Sequence, residues 1–181
     1  VYTAQTFGPR RYELMNTRSM NHNVPLIGET EQTAGRGHRA KDVAADENGA
    51  RMELAGAYPE EAGGESLVRT LSVSEDGLEL TDDVTLDAEK PVTFVFMLRH
   101  QPTVESGKAC FGKLCMTFDA SLRVQVEEIP VTDARMARNF PGSVWRMTMT
   151  SGGAFKHHQI FALKRTPSVP SGHLPQGGRP E

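Results

Sequence analysis

The sequence predicts an all-β protein: one antiparallel β-sandwich of about a dozen strands over residues 1–165, with minimal helix. Three observations carry this. Apolar and polar residues alternate strictly in several short runs, the period of a half-buried strand. No stretch of ten or more residues keeps a helical period. Turn signals recur at roughly ten-residue spacing without internal repeats, the pattern of a sandwich rather than a solenoid.

Taken in order, Met52 and Leu54 face one side of a strand while Arg51 and Glu53 face the other. Residues 60–66 (EEAGGES) read as a loop. After the turn Glu75-Asp76-Gly77, Leu78 and Leu80 repeat the alternation. Val92–Leu98 is apolar on both faces: Phe94 and Phe96 point one way, Val95 and Met97 the other. A strand of that kind must be covered on both sides, so it is placed centrally. Leu122, Val124 and Val126 mark one further strand, and Trp145, Met147 and Met149 another. His157–Leu163 is a late strand, and its adjacent histidines 157 and 158 point to opposite faces and cannot easily share a metal. The best helix candidate is Thr132–Asn139, at most two turns, with Thr132 or Asp133 as N-cap. Residues 166–181 are Pro/Gly/Ser-rich and read as a tail.

The 181 residues suffice for one domain with a real core. No apolar run approaches the ~18–20 residues that span a bilayer, so no membrane partner is expected. Starting on the strand-like VYTAQTF rather than on Met, the chain reads as an excised or processed fragment. The net charge is −3, unevenly spread. Residues 1–41 carry six Lys/Arg against three Asp/Glu, residues 42–90 three against fourteen, and residues 91–181 eleven against six. The basic first segment would suit an anionic ligand. No basic stripe interleaved with aromatics is present, so nucleic acid is not an expected partner. G-x-S-x-G elbows, Gly-rich phosphate loops and Cys-x-x-Cys pairs are all absent.

The densest polar chemistry runs from Arg11 to Asp42. At its centre, Asn21-His22-Asn23-Val24-Pro25 is extended, because Val24 precedes a proline. Amides on both sides of a group titrating near neutrality could serve proton transfer or carboxylate binding; a hydrogen-bonded strand end with a solvated histidine is the plainer alternative.

The run RRYELMNTRSMNHNVPLI, followed by EQTAGR and RAKDV, resembles the start of the C-terminal β-sandwich region of the heparinase II/III family of polysaccharide lyases. MELAGAYPEEA, LVRTLSVSEDGLELTDDV and VTFVFMLRHQP resemble the same region in the same order, over residues 2–165. The resemblance implies β-elimination on a uronic-acid polysaccharide. The carboxylate is neutralised, the α-proton leaves to a base, and the leaving oxygen is protonated. It also implies that a missing N-terminal helical domain supplies the main catalytic groups, so this fragment alone is inactive. His22 matches the histidine that the family's sandwich contributes at the domain interface. Asn21, Asn23, Arg11 and Arg18 are the accompanying candidates for binding sugar hydroxyls or carboxylate. The implied partners are an anionic polysaccharide and the parent's own helical domain.

The family often carries a sandwich zinc site whose first histidine lies two residues after the catalytic one. Here that position is Val24, which cannot ligate, although Asp42 matches the aspartate. The spacing of His38 and His100 fits no strong zinc signature, and no metal or other cofactor is expected. His100, at the end of the central strand, is expected to serve a strand-end hydrogen bond. A non-catalytic carbohydrate-binding module or a purely structural sandwich is the competing reading, but one Trp and three Tyr are few for a stacking platform. Cys110 and Cys115 flank a two-residue turn at Gly112-Lys113, which makes them a non-hydrogen-bonded pair with Cα atoms about 4.5 Å apart. A disulfide is geometrically allowed there; two reduced thiols packed as small apolar neighbours are expected.

Overall fold

The computed structural model describes residues 4–166. The tail expected over residues 166–181 lies outside them except for Thr166, and Tyr2 also lies outside. The described residues form two antiparallel sheets from twelve strands. The small sheet has the order β1 (Pro25–Ile27), β6 (Val92–Leu98), β11 (Ser143–Thr150), β10 (Arg123–Pro130). The large sheet has the order β2 (Lys41–Asp46), β3 (Gly49–Glu53), β4 (Gly64–Ser74), β5 (Gly77–Lys90), β12 (Ala154–Arg165), β9 (Leu114–Thr117), β8 (Lys108–Phe111), β7 (Thr103–Glu105). Helical residues occur only in short 3-10 turns. The all-β sandwich is the fold that the alternating runs predict.

The core fills the space between the sheets. From the small sheet, Phe94, Phe96, Met147 and Met149 point inward, and from the large sheet Leu67, Val84, Met116 and Phe161 do so. Phe161 packs against both Phe94 and Phe96, with ring centroids 5.3 and 4.9 Å away. Tilted aromatic contacts of this kind add to the area they bury. Trp145 is partly buried beside this cluster, in register with Leu98, as its stripe implies.

β6 lies inside the small sheet, between β1 and β11. Val95, on its outer face, is only 2% exposed, so the strand is covered on both faces. The cover comes in part from the chain before β1, which brings Met20 over this face.

Three local expectations change. Thr132–Asn139 is not a two-turn helix; only Met136–Arg138 forms a 3-10 turn. Its N-cap is Arg135 rather than Thr132 or Asp133, although Asp133 Oδ1 accepts from the N–H groups of Arg135 and Met136 at 2.9 and 2.7 Å. The run is too short and too polar to bury a helical face. Residues 60–66 are not wholly loop: Glu60–Ala62 is a 3-10 turn and β4 starts at Gly64. Cys110 and Cys115 are not reduced thiols but a disulfide, with Cα atoms 4.0 Å apart. They are register partners across β8 and β9, with Phe111 opposite Leu114 beside the turn. That pairing alone brings the two sulfurs together. Closing so short a loop gains little chain entropy, which limits the stability gained but does not prevent the bond.

Candidate functional site

The chain before β1 descends through four 3-10 turns, Ala4–Phe7, Arg11–Glu13, Met15–Thr17 and Ser19–Asn21. His22 ends the last of them. Its N–H donates to the Ser19 carbonyl at 3.0 Å and its backbone is extended. Its carbonyl accepts from the Val24 N–H at 2.8 Å. The imidazole itself is exposed and makes no hydrogen bond to any described residue.

Both neighbours of His22 are fixed. Asn21 Oδ1 accepts from Arg146 Nη1 at 2.9 Å, and Asn21 Nδ2 donates to the Met15 carbonyl at 2.9 Å. Asn23 Oδ1 accepts from the Met97 N–H at 2.7 Å, where β1 ends and the edge of β6 would otherwise be open. The Asn23 carbonyl accepts from Arg69 Nη1. Two residues on, the Pro25 carbonyl accepts from the Tyr58 hydroxyl. Burial pushes the Tyr58 hydroxyl far above the usual phenol range, so it stays a donor. A free imidazole is thus carried between two clamped residues.

The amides on either side of His22 are therefore committed to the scaffold, Asn21 through both ends of its side chain. Arg18 pairs with Glu31, which also accepts from Ser19 Oγ and the Met20 N–H. Burial raises the Glu31 carboxyl, but the Arg18, Met20 and Ser19 donors outweigh it and hold the group below the usual carboxylate range. Arg11 lies against the ring of Tyr12, 5.2 Å from its centroid, and is exposed. Of the candidate residues, His22 and Arg11 present their charged or titratable ends to solvent.

Beside this segment, on the outer face of the small sheet, lies a groove of about 490 Å³. Met20, Leu26 and Val95 form its apolar part; Gln125, Glu127, Arg146 and Thr148 form its polar part. Arg146 links it to the His22 segment, since it holds Asn21 on one side and pairs with Glu127 on the other. Such a groove can place hydroxyl-bonding groups beside an apolar patch, a combination that suits small polar ligands.

Sequence reasoning missed Arg146, read only as the polar face of its strand, and also the buried pair beneath Asn23. Arg69 and Asp82 are register partners on β4 and β5, joined by Nε–Oδ1 and Nη2–Oδ2 contacts of 2.7 Å. Asp82 is fully buried and Arg69 is 7% exposed. The signal was present: Arg69 interrupts the inward stripe Leu67–Leu71, and Asp82 interrupts the stripe Leu80–Val84. Opposite charges inside adjacent apolar stripes point to a paired, buried ion.

Val24 offers no metal donor. Among the described residues no group of three His, Cys, Asp or Glu side chains is placed to hold a metal ion. His157 is buried, with Ser151 Oγ, the Lys90 carbonyl and the Ala154 carbonyl about its ring nitrogens, while His158 pairs with Asp83 on the outer face. The two do point apart. His100 lies against the Gly112 turn. No helix among the described residues is long and apolar enough to cross a membrane.

No family model matches the sequence, and no curated protein matches it. Solved structures do match the fold. A heparinase III superimposes with a TM-score of 0.63 at 9% identity, over 92% of this chain and 27% of that one. The 4-alpha-glucanotransferase of Thermococcus litoralis superimposes with a TM-score of 0.52 at 16% identity, over 74% of this chain and 23% of that one. The chain thus spans about a quarter of the length of these structures.

Proposed function

We propose that this chain is the β-sandwich part of a polysaccharide lyase of heparinase II/III type, which cleaves a uronic-acid-containing polysaccharide by β-elimination. The observation that carries the reading is His22, an exposed imidazole without a hydrogen-bond partner, held between two residues that the sheets fix in place. The backbone around it is held in place, the imidazole is free to exchange a proton with a substrate atom, and the side chain plays no visible part in the fold. The likeness to a heparinase III over nearly the whole chain supports the same reading, as does the order of the matching segments.

In this reading the sandwich offers one proton-transfer group and a polar groove. A helical region elsewhere in a longer protein supplies the group that neutralises the carboxylate and the tyrosine acid or base. The elimination removes the α-proton of the uronate, breaks the C–O bond to the next sugar and leaves a C=C bond in the product. The leaving oxygen takes a proton.

The test is His22→Ala in the full-length protein. Loss of a positioned proton-transfer group is expected to lower kcat by about 10²–10⁴, followed by ultraviolet absorbance of the unsaturated product. The melting temperature is expected to stay within the small shift of a surface change. Near-normal turnover would return His22 to the role of a solvated strand-end residue.

A second reading keeps the sandwich as a non-catalytic carbohydrate-binding or structural module. The match to a glucanotransferase favours it, because the fold then recurs beside a different sugar chemistry. Glycan binding by this chain that His22→Ala leaves untouched, together with unaltered turnover, would select it.

A further inference from the structure

We propose that the loop from Thr33 to Lys41 is a second contact for the acidic polysaccharide, separate from His22, and that it grips uronate carboxylates along the chain. This rests on the lyase reading for its substrate class and on the loop's own geometry for its place.

The nine residues TAGRGHRAK carry Arg36, Arg39 and Lys41 and no Asp or Glu. All three cations are exposed, and none pairs with a carboxylate among the described residues. Glu53 faces Lys41 in register across β2 and β3. Its carboxylate is turned instead to the N–H groups of Ala55 and Leu67 and to Ser66 Oγ, so it does not neutralise the lysine.

The loop is anchored at both ends. The Thr33 N–H donates to the Ala57 carbonyl at 2.9 Å, and the Arg39 N–H to the Gly56 carbonyl at 3.2 Å. Lys41 folds back over Gly56: a Cβ built there would lie 3.8 Å from Lys41 Nζ and 3.2 Å from the Arg39 carbonyl. The Arg39 backbone and the Lys41 side chain thus meet beside Gly56. Arginine adds a planar fork that matches a carboxylate.

The loop also starts beside the proposed site. The Gln32 N–H donates to Ser19 Oγ at 2.9 Å, which brings the chain back alongside the turn that ends in His22. Along that path Arg36 lies within roughly 25 Å of His22, from the reach of an extended chain and the rise of a 3-10 turn. One polysaccharide could then touch both. Runs rich in basic residues are known footprints for acidic polymers, including nucleic acids, so the polymer's chemistry must be tested directly.

The experiment measures binding of this chain to alginate and to hyaluronan by titration calorimetry at several salt concentrations, with single-stranded DNA as the comparison polyanion. The variant is Arg36→Gln/Arg39→Gln/Lys41→Gln; all three side chains are exposed, and circular dichroism checks that it folds. The wild type is expected to bind at least one uronate polymer more tightly than DNA. The variant is expected to bind at least about tenfold more weakly, with a salt dependence lower by about one unit of slope per cation removed. Unchanged affinity in the triple variant, stronger binding to DNA than to either uronate polymer, or no binding by the wild type would each overturn the proposal. None of these outcomes touches the lyase reading, which stands or falls on turnover of the His22 variant.

Discussion

At the scale of single residues, position counts for more than residue type. His22 was singled out because amides flank it, and the amides turn out to serve the scaffold while the imidazole stays free. The carboxylates show the converse. Glu53 accepts from two backbone N–H groups and Ser66 Oγ. Burial raises its carboxyl, but these donors outweigh burial and hold it below the usual range. A depressed carboxylate contributes stability above its unfolded pKa and loses it as pH falls through the folded value. The Glu53 contribution is therefore intact above about pH 4.3 and lost in more acid solution. Glu53→Gln is expected to melt below the wild type at pH 7, with the gap narrowing toward pH 3; a gap of constant size across that range would mean that the charge is not what Glu53 contributes.

At the scale of elements, strands such as Gly77–Lys90 and Ser143–Thr150 were legible because an inward apolar stripe decides them. The reading failed where a tertiary contact decides instead. Arg69 breaks an inward apolar stripe, but its partner is fixed only when β5 is laid beside β4 and Asp82 meets it. The pair also holds the Asn23 carbonyl, so it joins the core to the His22 segment. Arg69→Ala leaves Asp82 buried without a partner and is expected to cost about 3–5 kcal/mol in a denaturant titration. The double variant Arg69→Met/Asp82→Leu is expected to recover most of that loss, since apolar residues of similar volume often replace a buried pair without harm. A double variant no more stable than the single one would show that the contact to Asn23, not the charge balance, is what the fold needs. The cysteines were misjudged for a different reason: the pairing of β8 with β9 was read correctly, and the chemistry it permits was undervalued. Alkylation of unreduced, denatured protein is expected to add no alkyl groups. Removing the bond should lower stability by about 2 kcal/mol, from the entropy of so short a loop; two added groups would restore the thiols.

At the scale of the whole molecule, the outer faces of the two sheets differ. The large sheet's outer face pairs His158 with Asp83 at its centre, with Thr81, Thr85 and an exposed Ile160 beside them. The small sheet's outer face carries the groove, whose Arg146 holds Asn21 beside His22. The sequence could place the strands that build this face, but not the groove, because Gln125, Glu127, Arg146 and Thr148 read simply as the polar halves of two strands. By itself the chain is expected to give no turnover of heparan sulfate, hyaluronan or alginate above buffer. The most direct measurement is the ultraviolet absorbance of unsaturated product formed by the full-length protein on the same three polysaccharides, wild type beside His22→Ala. The expected result is product from at least one of them with the wild type and a rate lower by about 10²–10⁴ with the variant. No unsaturated product from any of the three with the wild type, or equal rates from the two proteins, would contradict the assignment of a lyase site at His22.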